Sequence, residues 1–168
     1  MTKNIVLIGL MGCGKTTIGK LLSEKTSMNL VDTDALIVEK AGKSINNIFA
    51  EDGEPVFRDI EASVVKDVSE QTGLVVSTGG GAVIREKNID NLQKNGVLFY
   101  LYAPAEELYE RIKEDTGRPL IKTENPLGTL QTLLENREMF YMLADYKINT
   151  VNKTPEDITE EIIKLFDS

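Results

Sequence analysis

No histidine occurs anywhere in this 168-residue chain. An imidazole base is therefore excluded, and proton handling falls to carboxylates. Cys13 is the single cysteine, so no internal disulfide can form, which suits a reducing compartment. With no imidazole to activate it, Cys13 is a poor nucleophile. No apolar run reaches the length that spans a bilayer. The N-terminus enters a strand pattern directly, without a basic leader, so a cytoplasmic location with no membrane partner is expected. Positive charge is also short. Lys and Arg total 19 against 27 Asp and Glu, a net charge of −8. That balance argues against nucleic acid as a partner, which needs an extended basic face. An anionic substrate must then be held by a few local cations. The five arginines are Arg58, Arg85, Arg111, Arg118 and Arg137. No repeat, low-complexity tract or linker interrupts the chain, and its length suits one domain over residues 1–168.

What is present is concentrated near the N-terminus. Gly9-Leu10-Met11-Gly12-Cys13-Gly14-Lys15-Thr16 fits G-x-x-x-x-G-K-[ST], the phosphate-binding P-loop. An apolar run, Asn4–Ile8, precedes it, and Thr17-Ile18-Gly19-Lys20-Leu21-Leu22 opens a helix after it. Strand, loop and helix follow in the order the motif requires. Glycines let successive N–H groups converge on one anion, and the helix N-terminus adds donors and partial positive charge. Lys15 is a point cation for the outer phosphates, and the Thr16 hydroxyl suits Mg²⁺. A nucleotide polyphosphate with Mg²⁺ is the expected ligand.

Strand signals cover Asn4–Ile8, Asn29–Asp32, Leu74–Thr78, Val97–Tyr102 and Tyr146–Asn149. Helix signals cover Lys15–Thr26, Ser44–Glu51, Pro55–Glu70, Arg85–Asn95, Ala105–Lys113, Leu127–Met142 and Pro155–Phe166. The last has a full start signature in Thr154, Pro155, Glu156 and Asp157. Alternation of this kind predicts an α/β fold, a parallel sheet with helices on both faces. Ligands then bind beyond the carboxyl ends of the strands.

Four further motifs fall just after strands or in the connections between them. Asp32 and Asp34 close the second strand, and strand periodicity puts them on one side. We assign Asp32 to the metal, through water, and Asp34 to an acceptor hydroxyl. Helix capping by Asp34 ahead of Ala35-Leu36-Ile37 is a compatible alternative. Arg58 and Glu61 are three apart after Pro55 and can pair. Pairing would preset the guanidinium for a carboxylate, although spacing alone favours a surface ion pair of little worth. Ser77-Thr78-Gly79-Gly80-Gly81-Ala82 follows the third strand, and three glycines there favour ligand contact with the main chain. Thr116-Gly117-Arg118-Pro119-Leu120-Ile121 and the polar residues after it read equally as an exposed loop or as a lid carrying Arg118. Arg137 by itself passes as a helix-surface charge.

Taken together, in order and spacing over essentially the whole chain, these motifs closely resemble the shikimate kinases. The shared elements are Gly12-Cys13-Gly14-Lys15-Thr16-Thr17, Asp32-Thr33-Asp34, Phe57-Arg58-x-x-Glu61 and Thr78-Gly79-Gly80-Gly81. Arg118-Pro119-Leu120 and Arg137-x-x-x-Tyr141-x-x-Ala144-Asp145 complete the set. The resemblance implies a three-layer P-loop NTPase fold with a five-stranded parallel sheet of order 2-3-1-4-5. It implies a substrate-binding region at about 33–70, a lid at about 114–126, and a monomer. It implies MgATP-dependent phosphorylation of the shikimate 3-hydroxyl, a step of aromatic amino-acid biosynthesis. Within that reaction Lys15 and Arg118 neutralise phosphate charge, and Asp34 meets the ring hydroxyls. Arg58 and Arg137 bind the carboxylate, Gly80 contributes its backbone, and Phe49 and Phe57 line the ring pocket or simply pack. Gly12, Cys13, Gly14, Thr16 and Thr17 wrap the nucleotide, with Lys153 in the adenine loop at a place where relatives often carry Arg. Lys stacks less well on a flat ring than Arg does.

Composition agrees with that acceptor. One carboxylate and three hydroxyls are complementary to two arginines, an aspartate and backbone donors. A nucleoside monophosphate would call for more arginines, and Arg85 and Arg111 lie on helices expected to face outward. A gluconate kinase would not be expected to carry the glycine triplet. A non-catalytic nucleotide-binding module is the remaining class, opposed by the filled catalytic positions.

Overall fold

The computed structural model describes residues 2–115 and 123–168. Five strands form one parallel sheet: β1 (Asn4–Ile8), β2 (Asn29–Asp32), β3 (Leu74–Ser77), β4 (Gly96–Tyr102) and β5 (Tyr146–Asn149). Their spatial order is β2-β3-β1-β4-β5, the order the resemblance implied. β1 is central, with Val6 in register with Val76 of β3 on one side and Leu98 of β4 on the other. Every residue of β1 is buried, as a strand covered on both faces must be. Edge strand β5 buries only Ile148.

Among the described residues the helices are α1 (Lys15–Thr26), α2 (Thr33–Ala41), α3 (Ile45–Asp52) and α4 (Glu54–Ser69), then α5 (Glu86–Lys94), α6 (Ala105–Ile112), α7 (Pro126–Tyr141) and α8 (Pro155–Asp167). α8 begins as its sequence predicts. Thr154 Oγ1 accepts from the Asp157 amide, and the Asp157 carboxylate accepts from the Thr154 amide. The apolar face of α8 buries Ile158 and Ile162 into the same core as β1 and β4.

Helix α2 corrects the strand reading of Asp32-Thr33-Asp34. The chain leaves the sheet at Asp32, whose side chain accepts from the amides of Asp34 and Ala35. Asp32, not Asp34, is therefore the N-cap, a bond pattern worth about 1 kcal/mol. Asp34 sits in the first helical turn. The two carboxylates share a site because a strand ends and a helix begins, not because of two-residue periodicity. α2, α3 and α4 then run consecutively from β2 and return the chain to β3, placing α4 against the turn Ala82–Ile84 that follows β3.

Candidate functional site

The P-loop leaves β1 and enters α1 through Gly14, whose φ of 104° only glycine adopts without strain. No side chain caps α1, so its first amides stay available to a ligand. Lys15 Nζ donates to the Gly9 and Leu10 carbonyls and lies 3.6 Å from Cys13 Sγ. Cys13 itself is buried within the loop, where its side chain packs against Gly9. A cavity of about 680 Å³ opens over this loop, lined by Gly12–Thr17 together with Asp32, Asp34, Gly79 and Gly80. Phosphate-type donors and both aspartates thus face one space.

At the acidic wall, Thr33 points into the core and its hydroxyl accepts from the Gly79 amide at 3.1 Å. That bond ties the start of α2 to the loop after β3. Burial pushes the Asp34 carboxyl above the ordinary range and Asp32 adds to the effect, while Lys15 and Arg58 pull it back. Asp34 is thereby a carboxylate of raised basicity with cations close by.

Arg58 lies on α4 one turn before Glu61. Its Nη1 donates to Glu61 Oε1 at 2.9 Å, and the two side chains are 12% and 2% exposed. The surface-pair reading of this spacing is therefore wrong. The pair is buried because α4 packs its inner face against the loop after β3. Phe57 on the same helix is buried, and its ring stacks obliquely on Phe49 at 4.6 Å. Burial raises the Glu61 carboxyl, and Arg58 opposes that rise.

The glycine triplet explains why these groups can meet. None of the three glycines has a left-handed φ, so backbone freedom is not the reason for them. Room is. A Cβ on Gly79 would lie 2.5 Å from Asp34 Oδ1, and one on Gly81 would lie 2.5 Å from Arg58 Nη1. A Cβ on Gly80 would lie 3.3 Å from Arg137 Nη1. Each glycine therefore clears space for one of three charged side chains brought from α2, α4 and α7. Arg137 is no stray surface charge. Sequence reasoning expected a ligand on this main chain, but not that each missing side chain admits a different charged neighbour.

The cavity is also lined by Arg111, which the sequence reading puts on an outward helix face. Its guanidinium donates to the Gly12 carbonyl at 3.3 Å and to Thr150 Oγ1 at 3.1 Å, so it bridges the P-loop and the segment after β5. Arg111 lines the cavity together with Asn152, Lys153 and Pro155. Lys153 lines it too, with its ammonium held by Glu161 at 2.9 Å. Arg85 does stay outside, paired with Asp59 at 2.8 Å. Arg118, and the central part of the expected lid, lie outside the described residues.

Comparison with known proteins decides what this arrangement belongs to. A family model described as shikimate kinase matches residues 11–167. The chain belongs to the shikimate kinase family. The shikimate kinase of Caldicellulosiruptor bescii is 46% identical over 163 residues, covering 97% of this chain and 95% of that protein. That of Thermodesulfovibrio yellowstonii is 44% identical over 165 residues, covering 98% and 95%. Among solved structures, the shikimate kinase from Acinetobacter baumannii in complex with shikimate superposes with a TM-score of 0.92 at 37% identity, covering 98% of this chain and 93% of that one. As a shikimate kinase family member the protein is a P-loop kinase with ATP as co-substrate.

Proposed function

We propose that the protein transfers the γ-phosphoryl group of ATP to the 3-hydroxyl of shikimate, giving shikimate 3-phosphate and ADP. The observation that carries this reading is the glycine triplet, which adjoins Asp34, Arg137 and Arg58, with Asp34, Gly79 and Gly80 lining the P-loop cavity. One carboxylate to steer a hydroxyl and two guanidinium groups to grip an acid suit a small hydroxylated acid. The match to a shikimate-bound relative supports the same acceptor.

The roles follow from position. Gly12, Cys13, Gly14, Lys15, Thr16 and Thr17 wrap the phosphates, and Arg111 and Lys153 flank the base. Asp34 aligns the acceptor hydroxyl for in-line attack, while Arg58, Arg137 and the Gly80 backbone hold the carboxylate end. Phosphoryl transfer through a loose transition state asks mainly for such positioning and for charge neutralisation. Arg118 is assigned to the phosphates from a lid at about 114–126, and residues 33–70, which span α2–α4, to the acceptor-binding region of one domain over 1–168.

Mg²⁺ fits the donors present. Thr16 offers a hydroxyl in the first turn of α1. Asp32 spends Oδ1 on two amides, which leaves its other oxygen for a metal-bound water. Among the described residues no group of three or more Asp, Glu, His or Cys forms a protein-only cage. This suits an ion carried largely by the nucleotide's own phosphates. When bound, the ion would supply charge neutralisation between the outer phosphates. We also read the protein as a cytoplasmic monomer without nucleic-acid or membrane partners. No helix among the described residues is long and apolar enough to cross a membrane, and Cys13 has no second thiol to oxidise with.

Incubation with MgATP and shikimate, followed by mass detection, is expected to yield a singly phosphorylated product. Gluconate and nucleoside monophosphates serve as competing acceptors. Transfer to one of those and none to shikimate would replace the acceptor. Gly81→Ala tests the room argument. Its φ of −98° accepts alanine, so the fold should survive while the new methyl displaces the Arg58 guanidinium. The shikimate KM should rise about fivefold, the scale of a weakened hydrogen bond. An unaltered KM would mean that Arg58 does not need this space.

A further inference from the structure

We propose that Tyr141 is a positioning residue for the acid acceptor: its buried hydroxyl fixes the Gly80–Gly81 peptide and, through it, the loop on which the acceptor sits. This inference rests on the functional reading above and goes beyond it, because Tyr141 faces the loop from the core side. Tyr141 closes α7 and is wholly buried. Its Oη donates to the Gly80 carbonyl at 2.6 Å. A trans peptide points its N–H opposite to its C=O. Anchoring the Gly80 carbonyl on the phenol therefore turns the Gly81 amide away from the core.

The phenol is held in turn. The Tyr100 ring stacks on it at 4.9 Å and 25°, and the Tyr100 hydroxyl donates to Glu138. Glu138 is the neighbour of Arg137 in α7 and lies 3.7 Å from Lys147. Burial drives the Tyr141 hydroxyl well above its ordinary pKa, and Arg137 is the chief opposing influence, so guanidinium and phenol are close. Packing needs only the ring, which phenylalanine would provide equally. What the hydroxyl adds is the bond to the peptide whose flanking glycines make room for Arg137 and Arg58, beside its hydrogen bond with Arg137 itself.

Steady-state kinetics of Tyr141→Phe separate the two roles. The shikimate KM is expected to rise five- to tenfold, on the scale of about one hydrogen bond, with the ATP KM near that of the parent protein. Tyr100→Phe cuts the bond to Glu138 but spares the one to Gly80, and should leave the shikimate KM in place. An unchanged shikimate KM in Tyr141→Phe overturns the proposal, as does an equal rise in both KM values, which marks general loosening. A Tyr141→Phe protein that fails to fold overturns it too, since the hydroxyl would then serve the fold. If the parent protein transfers phosphate to shikimate and only the variant disappoints, the positioning role alone falls. A parent protein inert toward shikimate brings down the functional reading as well.

Discussion

Asp34→Asn is expected to lower turnover by about a hundred- to a thousandfold, within the usual range for losing a positioned proton acceptor, while leaving the ATP KM almost unchanged. Asparagine keeps the shape and the place in the first turn of α2, so the Asp32 cap and the Thr33 bond to Gly79 should persist. What disappears is a charge able to accept and orient the acceptor's hydroxyl proton. The separation of effects follows from the contacts. ATP would contact the P-loop amides and Lys15, whereas the Asp34 carboxylate lies against Gly79, outside the P-loop. A pH profile supplies a second check. The Asp34 carboxyl titrates above the ordinary carboxylate range because burial and Asp32 disfavour its charge. The charged form is the one that accepts the proton, so activity should fall as pH drops through this raised value. The residual activity of Asp34→Asn should lack that acid limb. Turnover within twofold of the parent protein would remove Asp34 from the reaction.

The sequence disclosed the nucleotide half of this site more fully than the acceptor half, for a physical reason. Backbone-built features are local. β1, β2, β5 and α1 have the bounds their sequence predicts, because apolar runs stop at glycines and caps that lie beside them in the chain. The P-loop is legible for the same reason. The acceptor half is assembled from side chains far apart in sequence. An i, i+3 pair such as Arg58 and Glu61 looks the same whether solvated or buried. What packs over Arg58 is the loop at Gly81, twenty or more residues away from the pair. Arg111 was misplaced because helical periodicity defines a face but not what that face meets. Only the adjacency of β1, β4 and β5 brings Gly12 and Thr150 within its reach. The alternative that caps a helix at Asp34 sets its start two residues late, because Asp32 serves the strand and the helix at once. For the motif set as a whole, family resemblance carried information that no single spacing held.

Arg58→Ala is expected to damage both binding and stability, and pH divides the two. The shikimate KM should rise about thirtyfold, within the range for losing hydrogen bonds to a charged group. Stability should fall as well, because Glu61 stays behind at 2% exposure without its partner. Breaking a buried pair costs about 3 kcal/mol, or roughly 6–12 °C in Tm for a chain of this size. The sign of the pH dependence is fixed by Glu61. Burial already raises its carboxyl, and Arg58 is the largest influence holding it down, so removing Arg58 raises it further. A carboxyl whose folded pKa lies above its unfolded one binds protons more tightly when folded. Its contribution to stability is therefore full below the unfolded pKa and is lost as pH rises through the folded one. The Tm deficit of Arg58→Ala should be large at pH 8 and shrink as the solution is acidified toward pH 5. Combining Arg58→Ala with Glu61→Gln removes the buried charge outright and should recover most of the Tm at pH 8. The shikimate KM should stay high in that double variant, because neutralising Glu61 restores no guanidinium. A Tm deficit independent of pH would place the damage in lost packing rather than in the stranded carboxylate. A double variant with a normal shikimate KM would show that Arg58 supports the fold without gripping the acceptor.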